Sequence, residues 1–308
     1  MPDAAVLLDR VTRRFGQTVA VNDVSLEIRR GEMFGLIGPD GAGKTTTIRL
    51  MCGLLRADAG RIQVLGHDPV RQHATVTAEA GYFSQRFSLY GDLSIDENIA
   101  FFAEIHGLTN YAARRDRLLE MTQLTPFRGR LADRLSGGMK QKLALACTLV
   151  HEPQIILLDE PTTGVDPVSR REFWKLLSEF LAQGITILMA TPYLDEAERC
   201  SRVGLLSGGR LLVVDAPAAL RESLPGVIVE VIGRPQEAVL AALKAVAGVA
   251  DVQSFGERAH VRFADGDPAG AVAGIERALA ARRVEVTSVR AIPASLEDVF
   301  ISRIAQGS

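Results

Sequence analysis

The 308-residue sequence holds only three cysteines, Cys52, Cys147 and Cys200, and they lie far apart. They form no C-x-x-C pair and no even framework. That excludes a disulfide scaffold and a cysteine-rich zinc site, and it predicts thiols kept in a reducing compartment. Long apolar runs are also missing. The longest, near Ile155 to Leu158 and Ile185 to Ala190, fall far short of the ~20 residues that a bilayer-spanning helix needs. The first residues show no basic segment followed by an apolar stretch, so no secretory signal is expected. Charge of one sign is absent too. The net charge is −2, and from Arg221 onward ten basic residues stand against eleven acidic ones. There is thus no electrostatic case for a nucleic-acid partner. Low-complexity tracts and solenoid-length repeats are lacking. What remains is 47% apolar and 23% charged residues, an ordinary globular composition in a chain long enough for two domains. The expectation is a soluble or peripheral cytoplasmic protein.

Against that plain background one stretch stands out: Gly38-Pro39-Asp40-Gly41-Ala42-Gly43-Lys44-Thr45-Thr46. It fits the phosphate-loop pattern G-x-x-x-x-G-K-[ST]. Apolar Met33 to Ile37 precedes it and a helical pattern from Thr47 to Met51 follows. Three glycines let the backbone curl so that its N–H groups face an anion. Lys44 supplies a point charge for the outer phosphates, and the Thr45 hydroxyl is placed to ligate Mg²⁺.

Periodicity extends this to an α/β architecture. Leu7 to Glu27 alternates as two strands joined by a turn at Arg14-Phe15-Gly16-Gln17, and Arg61 to Leu65 forms a short strand. From Phe87 to Leu149 the period is helical, with breaks at Gly91, Gly107, Pro126 and Gly137-Gly138. Ile155 to Leu158 and Ile185 to Met189 are buried parallel strands flanking an amphipathic helix from Arg170 to Ala182. The pattern ends near Ala216-Pro217 and restarts at Val227. From there the order βαββαβ predicts a small ferredoxin-like α+β unit with a closing helix from Leu296.

Four more motifs follow the phosphate loop in order. Gln85 comes just after Gly81 to Ser84. Then stand Leu135-Ser136-Gly137-Gly138-Met139-Lys140-Gln141, Ile155 to Leu158 ending in Asp159-Glu160-Pro161, and Gly164-Val165-Asp166. A carboxylate ending a buried strand, as Asp159 does, can bind Mg²⁺ or its water. Glu160 beside it is placed to orient and deprotonate an attacking water. Ser136, Gly137 and Gly138 precede a helix, and their N–H groups form a second anion site.

The set resembles the ATP-binding subunit of ABC transporters, with Walker A, Q-loop, signature, Walker B and D-loop in family order over residues 1 to about 220. The resemblance implies a P-loop NTPase core of the ABC type over 1–220, with a helical subdomain at about 86–150, and an accessory or regulatory domain over 225–308. It implies ATP and Mg²⁺ as cofactors. Catalytic roles fall to Glu160 as general base and to Gln85. Gly38 to Thr46 hold the nucleotide's phosphates, Phe15 stacks on adenine or is plain core, and Ser136 to Gly138 serve the γ-phosphate held by a second protomer. Thr45, Gln85 and Asp159 hold the metal. The implied partners are transmembrane permease subunits and a second ATPase subunit, identical or different, on the cytoplasmic face of the inner membrane. In this reading Phe87, Leu89, Tyr90 and Leu93, within Gln85 to Asn98, offer the permease its apolar contact. The C-terminal end, Ala294 to Phe300, resembles the extension on ATPases of ABC-2-type exporters.

One position departs from the family. Within Leu188 to Ala197, the place of the usual histidine after Walker B is taken by Pro192. Proline offers neither donor nor imidazole. Thr191 makes an expected helix N-cap and Pro192 a first helical residue. The missing contact predicts weak turnover at this chain's own site, unless the Thr191 hydroxyl or a water replaces it. Two further readings follow: a degenerate-site clamp paired with a competent ATPase, and a non-transport ABC protein. The second is disfavoured because the chain carries no tandem unit, coiled coil or zinc cluster.

Overall fold

The computed structural model describes residues 4–85, 89–282 and 284–307. The chain folds as two compact units, Met1–Ala216 and Pro217–Ser308.

In the first unit the elements are, in order, β1 (Ala4–Phe15), β2 (Thr18–Arg29), β3 (Met33–Ile37), α1 (Lys44–Met51), β4 (Ala59–Val64), α2 (His73–Glu79) and β5 (Ala80–Phe83). They continue with α3 (Ile95–Ile105), α4 (Ala112–Met121), α5 (Gly137–Leu149), β6 (Ile155–Asp159), α6 (Pro167–Ala182), β7 (Thr186–Thr191), α7 (Leu194–Ala197), β8 (Arg202–Ser207) and β9 (Arg210–Asp215). Two sheets result. An antiparallel one runs β2-β1-β4, and a larger one runs β5-β6-β7-β3-β8-β9. In the larger sheet β5, β6, β7, β3 and β8 are parallel and β9 returns antiparallel. Every residue of β3, β6 and β7 is buried, which is why these segments are continuous apolar runs. The helices α3, α4 and α5 are inserted between β5 and β6, as the helical period predicted.

Local chemistry sets the helix ends. Ser94 and Glu97 form a reciprocal capping box on α3. Asp166 Oδ1 accepts from the N–H groups of Val168 and Ser169 at 3.0 Å each, and Pro167 opens α6. Gly137 and Gly138 correct the expected break: they are the first turn of α5, capped by Ser136, whose hydroxyl accepts from Met139 N–H at 3.3 Å. Two expectations about the turn after β7 also fail. The N-cap of α7 is Tyr193, and Pro192 lies outside the helix. The Thr191 hydroxyl does accept Tyr193 N–H, at 3.1 Å, but Thr191 lies two residues before the N-cap.

The second unit contains α8 (Pro217–Glu222), β10 (Val227–Arg234), α9 (Gln236–Leu243), β11 (Val249–Phe255), β12 (Arg258–Phe263), α10 (Pro268–Ala281), β13 (Glu285–Ile292) and α11 (Leu296–Gly307). Its sheet is antiparallel throughout, in the order β11-β12-β10-β13. This is the βαββαβ ferredoxin-like arrangement, with a core of its own built on Val229, Val231, Leu243, Val261, Ile275 and Leu279.

Cys147 and Cys200 are buried and Cys52 is half-buried, all as free thiols. Burial raises the pKa of all three, that of Cys200 to about 12 with the Glu196 charge contributing. No helix among the described residues is long and apolar enough to cross a membrane.

Candidate functional site

The C-terminal ends of four neighbouring parallel strands lie at one edge of the larger sheet, the usual ligand position in open α/β sheets. Gly38 follows β3, Asp159 ends β6, Gln85 follows β5, and Thr191 ends β7. The loop after β3 is shaped by close approach. A Cβ on Gly38 would collide with the Leu206 carbonyl, and Gly43, at φ +106°, would meet the Ala20 carbonyl. No side chain caps α1, so its first-turn N–H groups are open to an anion. Ala42 N–H instead donates to Pro39 O at 3.1 Å.

Five predicted residues meet here. Lys44 is 4% exposed. Its ammonium donates to Gly38 O at 2.8 Å and Pro39 O at 3.1 Å, and lies 3.3 Å from Glu160 Oε1. The other Glu160 oxygen accepts from Gln85 Nε2 at 3.1 Å and from the Thr163 hydroxyl at 3.4 Å. Thr45 Oγ1 donates to Asp159 Oδ1 at 2.9 Å. Asp159 Oδ2 is buried without a hydrogen-bond partner. Such an atom is costly to leave bare, and an oxygen-seeking cation beside Thr45 would satisfy it. Burial raises the Asp159 pKa, the Thr45 bond opposes that, and the Glu160 charge adds to it. Among the described residues no three His, Cys, Asp or Glu side chains could hold a metal by themselves. A hard cation that keeps waters and shares a ligand's oxygens needs no such cage.

Phe15 sits at the β1–β2 turn, 46% exposed, with the Arg13 guanidinium 4.7 Å from its ring centroid. It is therefore a surface platform and not plain core. Ser136, Gly137 and Gly138 stand apart: no hydrogen bond among the described residues joins them to the phosphate loop. Ser136 and Gly137 are exposed.

Of the apolar segment expected to face a permease, Phe87 lies outside the described residues. Leu89 and Leu93 are only half-exposed. Tyr90 is 45% exposed and packs edge-on against Phe101 at 4.5 Å. Buried Asn98 organises this stretch. It accepts Tyr90 N–H and donates to the carbonyls of Tyr90, Leu93 and Ser94.

The sequence reading missed Thr163 as a partner of Glu160, and it missed a linkage of Thr162 and Thr191 through Glu196. The only available signal was polar residues flanking the ends of apolar strands.

A glycine-shaped anion cradle, a lysine, and paired carboxylates at strand ends define a phosphate-loop nucleoside-triphosphate-binding fold. A family model described as ABC transporter matches residues 21–163. The probable multidrug ABC transporter ATP-binding protein YbhF of Escherichia coli (strain K12) is 47% identical over 230 residues, covering 73% of this chain and 40% of that protein. The chain thus spans less than half of that relative. Daunorubicin resistance ATP-binding protein DrrA3 of Streptomyces coeruleorubidus is 34% identical over 98% of this chain and 96% of its own length. Nod factor export ATP-binding protein I of Paraburkholderia xenovorans (strain LB400) is 35% identical over 98% and 97%. A solved ATP binding subunit of an ABC transporter superposes with TM-score 0.65 at 29% identity, covering 71% of this chain and 92% of that one. This chain belongs to the ATP-binding proteins of ABC transporters.

Proposed function

We propose that the chain binds ATP with Mg²⁺ and hydrolyses it, as one of two ATP-binding subunits driving an exporter of the ABC-2 type. The observation that carries this reading is Glu160, held between Lys44 and Gln85 at the mouth of the phosphate loop. Phe15 stacks on the base, and Gly38 to Thr46 wrap the phosphates. Lys44 exchanges Glu160 for the outer phosphates, which frees that carboxylate to take a proton from the attacking water. Thr45, Asp159 and Gln85 hold the Mg²⁺, which supplies charge neutralisation at the β- and γ-phosphates.

Ser136 to Gly138, at the start of α5 with Ser136 and Gly137 exposed and apart from the loop, serve the nucleotide of the second subunit, the same protein or another ATPase. A solved ATP-binding cassette, 26% identical with TM-score 0.61, is a dimer bound to ADP and Pi, which supports this pairing. The domain over 1–220 binds ATP, and that over 225–308 is an accessory interaction module. The chain sits on the cytoplasmic face of the inner membrane against transmembrane permease subunits, through the segment from Gln85 to Asn98. The relatives named for Nod factor export and daunorubicin resistance support outward transport.

The test is ATP binding and turnover by the full chain. Glu160→Gln should bind ATP but lose about 10²–10⁴ in hydrolysis and accumulate as an ATP-held dimer in light scattering. Calorimetry that shows no ATP binding by the parent chain would overturn the reading.

A further inference from the structure

Glu196 is a carboxylate 1% exposed on α7, and no ion pair neutralises it among the described residues. Neutral donors from three directions hold it instead. Thr162 Oγ1 donates to Oε1 at 2.5 Å, Trp174 Nε1 to the same oxygen at 3.4 Å, and Thr191 Oγ1 to Oε2 at 2.7 Å. Thr162 and Thr191 are themselves buried, at 3% and 0% exposure. A buried charge without a cation is expensive, so the arrangement needs a reason.

The reason lies two residues before Thr162. Glu160 has left-handed backbone, φ +51°, which a non-glycine residue keeps only where its surroundings over-determine it. Glu160 N–H donates to Ala190 O at 3.0 Å, and Thr163 N–H donates back to Glu160 O at 3.3 Å. Ala190 precedes Thr191. A closed circuit therefore runs from Glu160 through Thr162, Glu196 and Thr191 to Ala190 and back to Glu160. Only the carboxylate of Glu196 closes it on the side-chain side.

We propose that Glu196 is a positioning residue for Glu160: by tying Thr162 to Thr191 it fixes the strained turn that aims the Glu160 carboxylate. This rests on the reading of Glu160 as general base. Glu196 does not touch the nucleotide site, so its loss should alter how fast bound ATP reacts and not how well ATP binds.

The experiment is steady-state ATP hydrolysis by the full chain, in the parental and Glu160→Gln backgrounds. Glu196→Ala should lower kcat about 10–100-fold, since a misplaced group costs on that order, with KM within about twofold. Glu196→Gln can accept from one threonine and donate to the other, and should keep most of the rate. Thr162→Val cuts the circuit from the other side and stands in should Glu196→Ala not fold. In the Glu160→Gln background neither change should lower the residual rate further. Parental kcat in Glu196→Ala or Thr162→Val, while Glu160→Gln is inactive, would overturn the proposal and leave the general-base reading intact. So would an equal fractional loss in both backgrounds, which marks a merely structural role. Parental turnover in Glu160→Gln would overturn both.

Discussion

Lys44 Nζ lies 3.3 Å from Glu160 Oε1, with side-chain exposures of 4% and 8%. Two groups assigned to opposite ends of the chemistry neutralise each other. Binding is therefore an exchange of partners, and the stability of the protein without nucleotide depends on the pair. Removing one partner of a buried pair costs about 3–5 kcal/mol, mostly for the charge left behind. Lys44→Ala should lower the unfolding midpoint of the nucleotide-free protein as well as abolish ATP binding. Adding Glu160→Gln should restore much of the midpoint and none of the binding. Thermal unfolding with calorimetry reads both. A Lys44→Ala protein as stable as its parent would show that the pair contributes nothing.

Asp159 makes a prediction with a definite sign. Its folded pKa is raised above the unfolded value, by burial first, so the folded state holds that proton more tightly. The stability this group adds is fully present below the unfolded pKa and is lost as pH rises through the folded one. Deprotonation leaves a buried charge with one oxygen, Oδ2, that has no hydrogen-bond partner. Asp159→Asn keeps an acceptor for Thr45 and removes the charge. The nucleotide-free midpoint should rise, by about 2–4 °C per kcal/mol relieved. The extra stabilisation by Mg²⁺ with ATP should shrink. A lower midpoint with an undiminished Mg²⁺–ATP shift would contradict this account.

Pro192 stands where the family's histidine is expected, and the structure narrows what could replace it. The Thr191 hydroxyl is wholly buried, donates to Glu196 and accepts Tyr193 N–H. It is not available to a phosphate. Turnover by the isolated chain should accordingly be slow, and Pro192→His should raise kcat. The gain should stay below the roughly 10²–10³ attached to one preorganised contact, because the ring must also point correctly. Fast parental hydrolysis with no gain in the variant would assign the contact to water.

Tyr90 is an exposed aromatic of the segment expected to meet a permease, and the Asn98 amide fixes its backbone. Tyr90→Asp should abolish transport in the assembled system while hydrolysis by the isolated chain stays within about twofold, as for an exposed site away from the chemistry. Leu93, half-buried, is the poorer probe because its substitution would also disturb packing. Equal transport in Tyr90→Asp and parent would move the contact elsewhere.

The phosphate loop, Gln85, Asp159 and Glu160 were legible in the sequence because each sits at a fixed offset from a buried strand end, and the strands announce themselves as apolar runs. The second unit was legible because β10 alternates Val227, Val229 and Val231 toward its helices. Helix α2 was not, since only Val76 in it is buried and one buried apolar residue makes no period. The Thr162–Glu196–Thr191 linkage was invisible for a different reason. Thr162 and Glu196 are 34 residues apart, and they meet only once β6 and β7 have paired. The start of α7 was misplaced for a local reason: Thr191 has the chemistry of a cap, but its oxygen accepts from Tyr193 N–H, ahead of the first helical residue.

The three native thiols leave the chain chemically quiet toward sulfur reagents. Reaction needs the thiolate, and burial raises the pKa of all three thiols, which disfavours that form. A cysteine introduced on exposed Tyr90 would react far ahead of all three. Crosslinkers and spectroscopic probes could thus be attached to the isolated chain without first stripping its own cysteines.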